Sequence, residues 1–166
     1  MRGLKILFVV ALVIALAACS QENPTSRLKI GDPSPDFKIE DLSGKPFLLS
    51  ELHGRPVVIR FFIVDCKFCK ADTPVFNEYY NKYKDQGLVV LYLTSTVNRK
   101  QVEKFAAELK IPFQVAIDYG KVVSKLFNVK AEPQTIMLDS EHFIRGAILG
   151  GVTEPEFDEI LGGEWK

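Results

Sequence analysis

The chain has 166 residues, 47% of them hydrophobic and 25% charged, with 21 basic and 21 acidic side chains in balance. That apolar content, with 12 phenylalanines, excludes general disorder. The even charge lacks the basic stripe that a nucleic-acid partner requires, and the length suits one domain with a full core.

Arg2 and Lys5 precede an uncharged apolar run over residues 6–18. The run falls short of the roughly 20 apolar residues that a membrane-spanning helix needs, and it fits a secretory signal. It ends in Leu16-Ala17-Ala18-Cys19, which resembles the lipobox of bacterial lipoproteins. The resemblance implies cleavage before Cys19 and a lipid on the Cys19 sulfur. Residues 1–18 are then a signal peptide, residues 19–27 a lipidated N-terminus with a polar tether, and residues 28–166 the folded domain.

The next elements read in order. Residues 36–40 and 46–49 flank the turn Ser43-Gly44-Lys45 as a hairpin. Residues 56–63 (PVVIRFFI) form a nearly continuous apolar run, as expected of a strand buried on both faces. Residues 69–86 then read as a helix interrupted by Pro74 and stopped by Gly87. Residues 88–94 give a second buried strand, and Asn98 opens a helix that runs to Lys110. A short strand over 113–117, a short helix over 121–127, a hairpin of 135–138 with 143–148, and a helix over 154–161 complete the chain. This order calls for an α/β sandwich whose sheet is parallel where crossovers connect it and antiparallel where hairpins do.

Cysteine carries the chemistry. With Cys19 assigned to lipid, Cys66 and Cys69 remain, two residues apart between a strand and a helix. A bridge closing so short a loop would constrain the unfolded chain little, so a reactive pair is the better reading than a structural one. A helix N-terminus offers unpaired N–H groups and partial positive charge, which favour a thiolate on Cys66. Cys66 is the expected nucleophile and Cys69 the resolving thiol that attacks the mixed disulfide. A zinc site would need two further ligands. His53 and His142 are expected as separate loop residues near solvent, away from each other and from the cysteines, so no metal is assigned.

Several segments together resemble one family. These are Gly31-Asp32-Pro33-Ser34-Pro35-Asp36-Phe37, Gly44-Lys45, Leu52-His53-Gly54-Arg55-Pro56, and Cys66-Lys67-Phe68-Cys69-Lys70-Ala71-Asp72-Thr73-Pro74, followed by Pro133. Residues 31–152 thus resemble the TlpA/ResA branch of the thioredoxin superfamily. The resemblance implies a thioredoxin-like sandwich with an N-terminal β-hairpin extension and no bound cofactor, since the dithiol carries the two electrons. It implies that Pro133 is cis opposite the cysteines. It also places Asp72 where the family has a buried acid able to relay the Cys69 proton, although a solvated helix-start acid is an equal reading. Lys67, Phe68 and Glu132 are the expected substrate contacts.

Three positions depart from the family: Asp65 replaces the usual tryptophan, Glu132 precedes the proline, and Arg60 lies in the central strand. Arg60 either pairs with Asp72 beneath the cysteines or faces solvent at the strand end. The resemblance further implies reduction of exported thiol proteins such as apocytochrome c, outside the cytoplasmic membrane, with recharging by a membrane-embedded thiol donor. The competing readings are a peroxiredoxin-like peroxidase and a Sco-like copper-delivery module. Residues 59–66 lack the proline and threonine of the first, and the second places three residues between its cysteines.

Overall fold

The computed structural model of the protein describes residues 28–164. The segments expected as signal peptide and tether, and Cys19 between them, lie outside these residues. Strands β1 (Lys38–Glu40) and β2 (Pro46–Leu48) pair as the expected hairpin, with Ile39 opposite Phe47. Gly44 turns it with φ +84°, a conformation that costs glycine little. The two apolar runs become β3 (Val57–Phe62) and β4 (Val89–Thr94), and every residue of both is buried. They pair in parallel, Val57 with Val89 through to Phe62 with Thr94. Such strands read as unbroken apolar runs because neither face meets water.

Beyond β4, β5 (Gln114–Ile117) is also parallel. β6 (Gln134–Leu138) and β7 (Ile144–Leu149) run antiparallel on the other side of β3, giving the order β5-β4-β3-β6-β7. Four helices accompany the sheet among the described residues: α1 (Lys67–Tyr83), α2 (Arg99–Glu108), α3 (Val122–Leu126) and α4 (Glu154–Leu161). Each has a local reason to begin where it does. Asn98 accepts the Gln101 N–H at the start of α2, and Thr153 and Glu156 form a reciprocal capping box on α4.

Alternation along β3 sorts two cores. Val58 and Phe62 face Phe76 and Tyr79 of α1, Val102 and Phe105 of α2, and Phe157 of α4. Val57, Ile59 and Phe61 face the other way, against Phe37 and Phe47 of the hairpin and Val123 and Phe127 at α3. Gly146 lets α4 close on β7: a Cβ there would stand 2.7 Å from Ile160 Cδ1. Among the described residues, no helix is long and apolar enough to cross a membrane.

One expectation fails at the pole where β3 begins. His53 and His142 are not separate: their rings stack with centroids 4.5 Å apart, and His142 is buried at 5% exposure. Backbone geometry joins them. The turn between β6 and β7 places His142 at φ +63°, and Gly54 N–H donates to Ser140 O at 2.8 Å, bringing the loop of His53 onto that turn.

Candidate active site

At the opposite pole β3 ends, and residues 63–65 lead directly into the cysteines. The helix starts earlier than its sequence pattern indicates. α1 begins at Lys67 and ends at Tyr83, and a separate 3-10 turn, Lys84–Gln86, leads to Gly87. Cys66 is therefore the N-cap residue, in extended conformation, and its Sγ accepts the Cys69 N–H at 3.3 Å. That amide is one of the first-turn donors that no helical carbonyl can satisfy, so its dipole points at the sulfur. Both thiols are free; Cys66 is partly exposed and Cys69 fully buried. Burial pushes the Cys69 thiol up to about 12, the adjoining Cys66 adds to this, and the Arg60 charge opposes it.

Beneath the pair lies a polar rung in an otherwise apolar core. Sheet register puts Arg60 beside Tyr92 of β4 and Thr135 of β6, on the face that α1 covers. Arg60 is wholly buried. Its Nη1 donates to Thr135 Oγ1 and to Gly150 O, each at 2.8 Å, and its Nη2 donates to Asp72 Oδ2 at 2.5 Å. The guanidinium also lies over the Phe76 ring, 5.2 Å from its centroid. Asp72 is buried rather than a solvated helix-start acid, and its Oδ2 accepts Val152 N–H at 3.1 Å as well. Burial raises the Asp72 carboxyl, against the Arg60 charge and the Val152 N–H. Asp72 Oδ1 and Arg60 Nε are buried without a hydrogen-bond partner. Thr73 bonds Cys69 O and lies 3.3 Å from the Tyr92 hydroxyl, tying the first turn of α1 to the same rung.

The Glu132–Pro133 peptide bond is cis. Pro133 is buried, and its carbonyl accepts Gly150 N–H at 2.9 Å. The same Gly150 thus holds both Arg60 and the proline loop. Glu132 is half-buried and accepts the Ser95 hydroxyl at 3.4 Å; burial raises its carboxyl while Lys121 and Ser95 counter that. Lys67 and Phe68 project outward, Phe68 at 65% exposure, as groups available to a partner. Sequence reading missed Thr135, Tyr92, Gly150 and Val152. The only signal for that rung was the polar Arg60 inside an apolar strand, and its partners are set by register, which single-chain periodicity does not contain.

A half-exposed thiol at a helix cap, backed by a buried thiol in the same turn, is the arrangement that disulfide exchange requires. The sequence profile of the AhpC/TSA family matches residues 30–147, a stretch that includes both cysteines and Pro133. The chain belongs to the AhpC/TSA family. Within it the similarity is to thiol-disulfide oxidoreductases. The chain is 30% identical over 135 residues to ResA of Bacillus thuringiensis, covering 81% of this chain and 78% of that one. It is 32% identical over 132 residues to ResA of Geobacillus kaustophilus, covering 80% and 76%. The protein is a thiol–disulfide oxidoreductase.

Solved structures agree on the fold. A Chlorobium tepidum protein assigned by similarity as the thiol:disulfide interchange protein DsbE superposes with a TM-score of 0.77 at 24% identity, over 84% of this chain and 99% of that one. The thioredoxin domain of a thiol-disulfide oxidoreductase of Bacteroides vulgatus gives 0.72 at 21%, over 84% and 99%. The thioredoxin-like sandwich expected from the sequence is the observed fold.

Proposed function

We infer that this protein reduces disulfides of exported proteins on the outer side of the cytoplasmic membrane, with Cys66 as nucleophile and Cys69 as resolving thiol. The observation that carries the reading is the difference between the two sulfurs. Cys66 is reachable and accepts a helix-cap N–H, while Cys69 is sealed behind it. A partner disulfide can meet Cys66 alone, so attack yields a mixed disulfide, and Cys69 then releases the partner as a thiol. Lys67 and Phe68, exposed and next to Cys66 in the chain, are proposed substrate contacts, and Glu132 with the cis Pro133 is proposed to face the cysteines, as the resemblance to the TlpA/ResA branch implies. The lipobox-like segment ending in Cys19 supports a lipid anchor that holds the domain at the membrane surface.

The reducing direction rests on the resemblance to the TlpA/ResA branch. Apocytochrome c is the corresponding substrate type, and a membrane-embedded thiol protein the corresponding electron donor. Equilibration with glutathione or dithiothreitol buffers tests the direction. A reductant lies nearer about −270 mV than the about −120 mV of a strong oxidant. Partners are identified by expressing Cys69→Ala with its signal and recovering proteins joined to Cys66. Exported proteins with paired cysteines are the expected catch. Rapid peroxide consumption by the pure protein, with no partner trapped, would support a peroxidase instead.

A further inference from the structure

The buried Arg60 is not accounted for by the two cysteines. We propose that Arg60 is a positioning residue for the resolving step, acting through Asp72: its guanidinium occupies Oδ2 and leaves Oδ1 to take the Cys69 proton. This rests on the reading of Cys69 as the resolving thiol.

Geometry carries the assignment. Cys69 and Asp72 are three residues apart on α1, so both side chains lie on one helix face, the face turned to the sheet. Asp72 Oδ2 is saturated by Arg60 Nη2 and Val152 N–H, whereas Oδ1 is buried and accepts nothing. An acceptor left unmade in a core is costly, and a thiol in the same turn is a group able to give it a proton. The Arg60 pose is itself fixed by Thr135 Oγ1 and Gly150 O, and Gly150 N–H holds Pro133 O. One side chain therefore sets the acid under the cysteine helix relative to the proline loop.

The electrostatics agree. The charged and titratable groups influencing this site are Arg60 from β3, Tyr92 from β4, and Cys66 and Cys69 from the first turn of α1. Arg60 is the one cation among them. Burial disfavours ionised Asp72, and the Arg60 charge is the largest influence against that. Removing Arg60 takes away the main influence opposing burial, so it shifts Asp72 further toward its protonated form, which cannot accept a second proton.

The step balances as follows. The Cys69 S–H proton moves to Asp72 Oδ1 while the Cys69 sulfur bonds to Cys66 Sγ. The bond from Cys66 to the partner sulfur breaks, and its electron pair leaves with the partner as a thiolate, which is protonated by Asp72 or water. The protein dithiol ends as a disulfide, and the partner disulfide ends as two thiols.

Single-turnover oxidation of the reduced protein by dithiodipyridine separates the steps, since the first thiopyridone reports attack by Cys66 and the second reports resolution by Cys69. Both phases are followed from acid to alkaline pH in wild type, Asp72→Asn, Arg60→Met, Arg60→Lys and the Arg60→Met/Asp72→Asn double variant. Near neutral pH, Asp72→Asn and Arg60→Met should each slow the second phase by about tenfold or more, the lower reach of general-base effects, with the first phase unchanged. Arg60→Met should recover at a lower pH than Asp72→Asn, because its carboxyl still ionises, and Arg60→Lys should restore much of the rate. The double variant should match Asp72→Asn within about twofold, since Arg60 acts only through Asp72. Should Arg60→Met fail to fold, the comparison of Asp72→Asn with the double variant still decides. Additive slowing in the double variant, or a wild-type second-phase profile in Arg60→Met, overturns the proposal. A wild-type protein that releases no thiopyridone overturns the reading of the dithiol itself, a separate failure.

Discussion

The two poles of the central sheet bury ionisable groups in different ways. Where β3 ends, Arg60 and Asp72 bring opposite charges into the core, each anchored by backbone or hydroxyl partners, with a thiol above them. Where β3 begins, His53 and His142 stack two rings that can only carry like charge, and His142 Nε2 is buried without a partner. Burial of a titratable side chain is common to both poles and identifies neither. What distinguishes the first pole is convergence: an accessible thiol at a helix cap, a buried thiol and a fixed ion pair within one helical turn and one rung of strands. At the second pole a buried base stands with no reactive neighbour, and its expected consequence is a pH-dependent contribution to stability.

The largest effect should come from the reactive pole itself. Cys66→Ala should abolish reduction of a protein disulfide such as that of insulin, while Cys69→Ala should keep the first attack and accumulate a long-lived mixed disulfide. Turnover by Cys66→Ala would break the comparison, because the reactive group would lie elsewhere. Next comes the ion pair. Arg60→Met leaves Asp72 buried and uncompensated and should cost about 3–5 kcal/mol in denaturant unfolding. Adding Asp72→Asn should recover a large part of that loss, since removing both charges of a buried pair is often close to neutral. Equal losses in single and double variants would mean that the rung stabilises by packing alone.

The smallest effect belongs to the other pole. Burial, then the adjoining His53, hold His142 below its ordinary value of 6.5, so the fold favours the neutral ring. Its contribution to stability is complete above about pH 6.5 and is lost as the pH falls through the lowered folded value. Asp139 and the backbone at Leu52 and Arg55 act in the opposite sense and limit the shift. His142→Asn retains a residue that tolerates positive φ. The variant should show a shallower fall of Tm on acidification than wild type, by a few degrees. Parallel curves would remove the pH role of this pole and leave a packing contact.

Most elements were legible in the sequence because apolar runs, glycines and caps are local signals. Residues 56–63 announced a buried strand, and Asn98 announced a helix start. The helix carrying the cysteines was misplaced at its start, since Cys66 is an uncommon cap residue and its capping shows only in the Cys69 N–H to Sγ contact. The cysteines, Asp72 and Pro133 could be named from the motif. The burial of Asp72 and its choice of Arg60 over water could not, because they depend on α1 settling over β3. The histidine pair was missed for the same reason: 89 positions of chain separate His53 from His142, and only the closing of one loop on another brings them together.

The division of labour between the two sulfurs is tested most directly by alkylating the reduced, native protein with iodoacetamide and locating the adducts by peptide mass. The expected result is rapid labelling of Cys66 alone, with Cys69 labelled only once denaturant opens the fold. Equal labelling of both cysteines under native conditions, or labelling of Cys69 first, would contradict the assignment of nucleophile and resolving thiol.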